Sequence, residues 1–397
     1  MPRRFTVIAS TVAAVAIGAG SASALLGRSA AATADRGAAK AAKRSVVDRL
    51  SIPKLVGQRV IVSYDGTEPP EQLFKLIRRG MVAGVIFFGA NTDENPDLTR
   101  QVVFRMQRAR LQAKPAALRR PLLMMTDQEG GLVRRLPGPP ELSEQQISQA
   151  RTAVGAAGLA GAGAARTLAG AGINVNLAPV LGVQRPGPSF LGQFQRAYSQ
   201  WRNPRRIGRL ARAFVTSLQR RGVAATSKHF PGLGSANEKQ DTDAAPVTLH
   251  LSRRTLFNVD LVPYPLVIAA RTKLVMINHA IYPALDPTRP ASLSRRIIGG
   301  LLRGRLGYRG VTITDALEAG ALAPFGTIPH RGVLAARAGA DLLLFSQQRI
   351  SEGLQGLRAL RRALRGGRLN RARYERAALR VLKLRKQLKV KPSGPLP

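Results

Sequence analysis

The stretch Ser227-Lys-His-Phe-Pro-Gly-Leu-Gly-Ser-Ala-Asn-Glu-Lys-Gln-Asp-Thr-Asp243 gathers a lysine, a histidine, three carboxylates and a Pro-Gly-x-Gly turn. It follows the apolar run Gly222–Thr226, which reads as a buried strand. A Lys-His pair at a strand end costs desolvation energy unless both groups find polar partners. Lys228 and His229 are therefore either a satisfied structural feature or part of a site. Other apolar runs end in the same kind of group: Asp127-Gln-Glu-Gly-Gly131, Asn176 to Pro179, Asn278-His279 and Asp315. Taken alone, Asp127 or Asp315 reads as a helix cap. Recurrence at five strand ends points to one shared site.

The residue types narrow the chemistry. The chain has four histidines without His-x-x-x-His spacing, no cysteine and no Gly-x-Ser-x-Gly elbow. Metal clusters, thiolate chemistry and serine-triad hydrolysis are therefore not indicated, and no metal or organic cofactor is expected. A carboxylate nucleophile ringed by groups that hold hydroxyls suits glycoside hydrolysis. Asp315 would attack the anomeric carbon, while Lys228, His229 and Asp127 grip sugar hydroxyls.

Such groups need a scaffold that brings strand ends together. Short apolar or β-rich runs occur at 59–64, 83–88, 122–126, 174–177, 223–228, 274–278, 311–314 and 341–345. Helical patterns separate them at 70–79, 95–113, 143–171, 204–221, 251–271, 294–306 and 329–338, with two more at 351–366 and 370–390. Eight strand–helix repeats predict an α/β fold, a single (β/α)8 TIM-type barrel whose strand ends converge on one rim. An open doubly wound sheet is the alternative, but it calls for a glycine fingerprint after its first strand. The nearest match, Gly161-Ala-Gly163, lacks the third glycine and lies inside a helical pattern, where small-residue helix packing explains it better.

The 397 residues are 45% hydrophobic, enough for a large core. Met1-Pro-Arg-Arg4, the uncharged run from Phe5 to Gly20 and Ala22-Ser-Ala24 give residues 1–24 the form of a secretory signal peptide. Residues 25–50 read as a flexible linker, 51–350 as the barrel, and 351–397 as basic C-terminal helices and a tail packed on it. A secreted or envelope-associated monomer is expected. The formal charge of +40 favours polyanionic surroundings such as an anionic wall polymer or a membrane surface. The basic residues are dispersed with few aromatics between them, so no specific nucleic-acid partner is expected. Residues 358–391 hold fourteen Lys/Arg against one acid, Glu375, and Tyr374, Ala378, Val381 and Leu388 keep helical spacing.

Four motifs carry a resemblance: Asp-Gln-Glu-Gly-Gly at 127–131, Asn-Leu-Ala-Pro-Val at 176–180, Lys-His-Phe-Pro-Gly at 228–232 and Gly-Tyr-x-Gly-Val-Thr-Ile-Thr-Asp at 307–315. In this order they resemble glycoside hydrolase family 3, in its single-barrel β-N-acetylhexosaminidase branch acting on peptidoglycan-derived sugars. The resemblance spans roughly residues 52–350 and implies a carbohydrate substrate and retaining hydrolysis through a covalent glycosyl-enzyme. It puts the nucleophile at Asp315 and substrate-binding groups at Asp127, Arg196, Lys228, His229 and His279.

Two departures stand out. Leu233 occupies a position where the family usually has histidine. The branch's acid/base comes from an Asp-Ser-His dyad, aligned here with Asp241-Thr-Asp243. Without the imidazole, an Asp serves as acid/base only if burial or a second carboxylate raises its pKa. Asp243, with Asp241 two residues away, is the expected replacement, and Glu238 a weaker candidate. A catalytically impaired wall-sugar binder and a β-glucosidase-type enzyme are the alternative readings.

Overall fold

The computed structural model describes residues 45–92, 94–198 and 203–388. The proposed signal peptide, and the linker as far as residue 44, lie outside them. Eight parallel strands make the central sheet: β1 (Val60–Val62), β2 (Gly84–Ile86), β3 (Leu123–Thr126), β4 (Val175–Asn176), β5 (Ala224–Phe230), β6 (Leu274–Ile277), β7 (Val311–Thr314) and β8 (Leu343–Leu344). Their order is β7-β6-β5-β4-β3-β2-β1-β8, and a parallel bridge between Ile313 and Leu342 joins the ends into a barrel. Each expected apolar run coincides with one of these strands, β5 extending two residues past its run to Phe230.

All eight strands are buried along their length, as parallel strands covered on both faces must be. Alternate side chains serve two cores, because successive residues of a strand point to opposite faces. Ile61, Met125, Val175, Met276, Ile313 and Leu344 fill the barrel. Val60, Val62, Met124, Val275 and Leu343 face the surrounding helices.

Helix Pro204–Arg220 buries Ile207, Leu210, Ala211, Phe214, Val215 and Leu218, a stripe at helical spacing. It packs on Ala153–Gly170 so closely that a Cβ at Gly161 would lie 2.3 Å from the Phe214 carbonyl oxygen. Helix–helix approach thus accounts for the Gly161-Ala-Gly163 pattern. Helix Arg371–Gln387 crosses the barrel's N-terminal mouth, and its Val381 and Leu384 join the interior core. Beside them, buried Arg385 donates to the carbonyls of Pro121 at 2.8 Å and Arg120 at 2.7 Å.

Three boundaries differ from the sequence reading. Val46–Arg49 forms a 3-10 turn, and Val47 and Leu50 are buried in the core, so residues 46–50 belong to the folded body and not to the linker. The helical run expected at 143–171 divides into Glu144–Gln149 and Ala153–Gly170, because Ala150 is extended at ψ 145°. The run at 251–271 also breaks: Leu256–Asp260 makes wide π-helical turns and a regular helix resumes at Tyr264. Pro263 has no N–H to continue the ladder between them.

Candidate active site

The C-terminal ends of the strands surround a cavity of about 450 Å³, a volume typical of small-ligand sites. Its floor includes Ile86, Leu177, Met276 and Leu344, the uppermost layer of the barrel core. Phe88, Phe190 and Phe194 add an apolar wall. Polar groups come from five strand ends: Asp127 and Arg135 after β3, Arg196 after β4, Lys228 and His229 within β5, Asp315 after β7 and Ser346 after β8.

Lys228 is the hub. Its Nζ lies 2.6 Å from Asp127 Oδ1 and 2.7 Å from Glu129 Oε1, and the lysine is 2% exposed. Burial works against the lysine's charge, but Asp127 and then Glu129 outweigh it and leave the pKa raised. Asp127 shows the converse: burial favours its neutral form, and Lys228 together with Arg135 and Arg196 more than offsets that, so its pKa is lowered. Arg196 grips Glu129 with both arms of its fork, Nε to Oε2 at 2.9 Å and Nη2 to Oε1 at 2.8 Å. Such bidentate charge-assisted pairs fix orientation as well as supply energy.

Glu129 was not singled out from the sequence, although Asp127 and Glu129 alternate with Gln128, the signature of a shared face. Gln128 turns the other way. Its amide accepts from the N–H groups of Arg135 and Leu136 and donates to the Leu136 carbonyl, shaping the turn that brings Arg135 to the cavity. Glu144 supports the next loop, accepting from Val180 N at 2.9 Å and Ala197 N at 3.1 Å. Burial, with Glu129 nearby, pushes its carboxyl up to about 8.

His229 Nε2 stands 3.4 Å from Arg196 Nη2 and 4.0 Å from Asp315 Oδ2. Burial, then Arg196 and Lys228, hold the ring well below its ordinary pKa. It is therefore neutral near pH 7, and its approach to Asp315 is no ion pair. Asp315 Oδ1 accepts from Ala316 N at 3.0 Å. Burial raises its pKa, while Lys228, that hydrogen bond and Arg196 pull the other way.

His279 is not brought to the cavity. It is buried behind the cavity wall, with Nδ1 2.7 Å from Ser292 Oγ and Nε2 2.8 Å from the Ala316 carbonyl oxygen. Burial pushes the ring down to about 4, so the neutral imidazole braces the backbone beside Asp315 instead of offering a contact to a ligand. Glu238 is also absent from the cavity; it is exposed, and its carbonyl accepts from Gln193.

Asp241, Thr242 and Asp243 do line the cavity. Their loop docks on the segment following Asp315: Gly320 N donates to the Asp243 carbonyl at 2.7 Å and Ala321 N to the Thr242 carbonyl at 3.1 Å. Asp241 Oδ1 accepts from Asp243 N at 2.8 Å. Only glycine permits this approach at 320, since a Cβ there would lie 2.0 Å from the Ala244 carbonyl oxygen. The Asp243 carboxyl stays accessible at the cavity mouth, but surrounding protein, then Asp315 and Asp241, push it up to about 6. Glu318, which also went unnoticed in the sequence, lines the cavity and accepts from Ser346 Oγ at 2.6 Å.

Asp241, Asp243, Asp315 and Glu318 line a cavity at the mouth of a barrel, backed by the Lys228–Asp127–Glu129–Arg196 cluster, an arrangement suited to glycosidase chemistry. The glycosyl hydrolase family 3 N terminal domain matches residues 49–384, and the chain belongs to that family of glycosidases. A protein from Arthroderma benhamiae named "Uncharacterized secreted glycosyl hydrolase" is 41% identical over 332 residues, 84% of this chain and 92% of that one. A "Beta-hexosaminidase" of Xanthomonas oryzae pv. oryzae is 34% identical, over 79% of this chain and 89% of its own. Among solved structures, a family 3 beta-N-acetylglucosaminidase from Paenibacillus sp. str. FPU-7 superposes with a TM-score of 0.79 at 35% identity. That match covers 87% of this chain but only 64% of the other. The beta-N-acetylhexosaminidase from Beutenbergia cavernae DSM 12333 gives 0.73 at 30% identity, over 85% and 98%.

Proposed function

We propose that this chain is an exported, retaining β-N-acetylhexosaminidase in which Asp315 is the nucleophile and Asp243 the general acid/base. The observation that carries the reading is the contrast between the two carboxyls facing one cavity. Burial raises the Asp315 pKa, and against it Lys228, the Ala316 N–H and Arg196 all favour the carboxylate. Burial raises the Asp243 pKa too, and there Asp315 and Asp241 add to it, favouring the acid. The roles therefore follow from the charges each carboxyl faces: cations beside Asp315, carboxylates beside Asp243.

In the reaction, Asp315 attacks the anomeric carbon while Asp243 gives its proton to the departing glycosidic oxygen. The resulting Asp243 carboxylate then takes a proton from water as the water displaces Asp315, which restores both groups. Asp127, Lys228, Arg196 and His229 would hold sugar hydroxyls, with neutral His229 able both to donate and to accept. The relatives named for N-acetylhexosamine hydrolysis support that sugar, and the basic, apolar and small-residue order of residues 1–24 supports export.

Trapping tests the mechanism. A 2-fluoro glycosyl fluoride should inactivate the enzyme with time, and peptide mapping should recover the label on Asp315. A label on another residue, or none while sugar still binds, would overturn the covalent assignment. Turnover of an aryl β-glucoside in preference to the matching N-acetylglucosaminide would move the chain to the β-glucosidase reading.

A further inference from the structure

The end of the barrel opposite this site holds a second cavity, also about 450 Å³. It lies at the N-terminal ends of β6 and β7, between the segments Arg271–Lys273 and Gly307–Gly310 and the helix Arg371–Gln387. Among the described residues five cations line it, Arg271, Lys273, Arg309, Arg380 and Lys383, and no carboxylate does. Arg380 is held by Asp341 through bonds of 3.0 and 2.7 Å and so forms a fixed wall. Lys273 Nζ meets only a neutral partner in the described residues, Gln387 Oε1 at 3.0 Å. Arg271, Arg309 and Lys383 are exposed and have no carboxylate partner among the described residues.

The frame is rigid where the charges are not neutralised. Tyr308 is 2% exposed, and its one hydroxyl proton is shared between the carbonyls of Lys273 and Val311, both at 2.9 Å. Val311 N returns a bond to the Lys273 carbonyl at 3.0 Å. Like charges converging on one concavity repel one another unless an anion enters. Outside the cavity, Arg373, Arg376 and Lys386 of the same helix are exposed. The single acid there, Glu375, is already bound to Arg371 at 2.7 Å.

We propose that this cleft and the helix beside it form a docking site for a linear, base-free phosphate polymer, independent of the sugar site. A polymer is favoured over a small anion because the positive track extends beyond the cavity. Nucleic acid fits less well, because single strands are held by bases stacked on aromatic faces and the ring of Tyr308 is buried. A membrane also fits less well. Among the described residues the exposed large apolar side chains, such as Leu98, Leu132 and Leu159, lie outside both the cleft and the helix, leaving none of them to insert there.

The test uses the full chain and fluorescently end-labelled inorganic polyphosphate, titrated at several salt concentrations. The triple variant Arg271→Gln/Arg309→Gln/Lys383→Gln should weaken binding at least tenfold and reduce the slope of log affinity against log salt by about 2. A control with the same loss of charge, Arg205→Gln/Arg209→Gln/Arg212→Gln on an outer helix, should change affinity less than twofold. Equal losses from the two triples would reduce the effect to net charge and overturn the site. Displacement of polyphosphate by single-stranded DNA at lower phosphate concentration than by unlabelled polyphosphate would overturn the base-free ligand. An unchanged thermal midpoint and unchanged hydrolysis of an aryl hexosaminide show that the cleft variant is folded.

Discussion

Replacing Asp243 with asparagine removes the proposed acid while keeping the side chain's size. An acid with a pKa of about 6 retains its proton on roughly a tenth of molecules at pH 7, against roughly one in 1,600 for an ordinary aspartate at 3.8. The surroundings of Asp243 therefore multiply the competent population by about two orders of magnitude, without an imidazole. General acid assistance is worth about 10²–10⁴ in rate. For Asp243→Asn, kcat/KM on an N-acetylglucosamine disaccharide should fall by that amount. Formation of the glycosyl-enzyme from a dinitrophenyl glycoside, whose leaving group needs no proton, should change by only about threefold. Azide should speed turnover of the variant on that activated substrate and yield a glycosyl azide. The wild type on the disaccharide should lose kcat/KM as pH rises through about 6, because the acid form is the active one, and the variant should lack that limb. Asp241→Asn keeps an oxygen to accept from Asp243 N but removes a charge that raises the Asp243 pKa, so the limb should move to lower pH. Equal losses on both substrates, or the same alkaline limb in Asp243→Asn, would refute the assignment.

Two further outcomes follow from the geometry. Lys228→Met leaves Asp127 and Glu129 facing each other without their shared cation, and removing one partner of a buried ion pair costs about 3–5 kcal/mol. The midpoint of urea unfolding should fall accordingly, and an unchanged midpoint would mean that the cluster is not charged as described. Gly320→Ala forces the loop of Asp243 away from the segment after Asp315, because the new Cβ meets the Ala244 carbonyl oxygen. Displacement of a catalytic group by about 1 Å costs up to about 10²-fold in rate. The disaccharide kcat should therefore fall far more than binding of the product sugar weakens, as read by titration calorimetry.

The sequence by itself determined the barrel and the rim. Eight apolar runs alternating with helical patterns leave few alternatives once helices must cover both sides of a parallel sheet, and Asp127, Lys228, His229 and Asp315 fall at its strand ends because polar groups interrupt those runs there. Tertiary structure decided which polar groups share one space. His279 stands at a strand end like His229, yet its ring is spent on Ser292 and the Ala316 carbonyl, a contact 37 residues away that no local pattern encodes. Glu129 gains its place only when Arg196, 67 residues on, folds back over it. The same holds for the opening stretch. Its Lys-His pair was legible from local order, but the raised pKa of Asp243 depends on burial in the folded loop and then on Asp315, a residue the chain delivers from another strand. Electrostatic energy depends on distance through space, and only folding sets that distance.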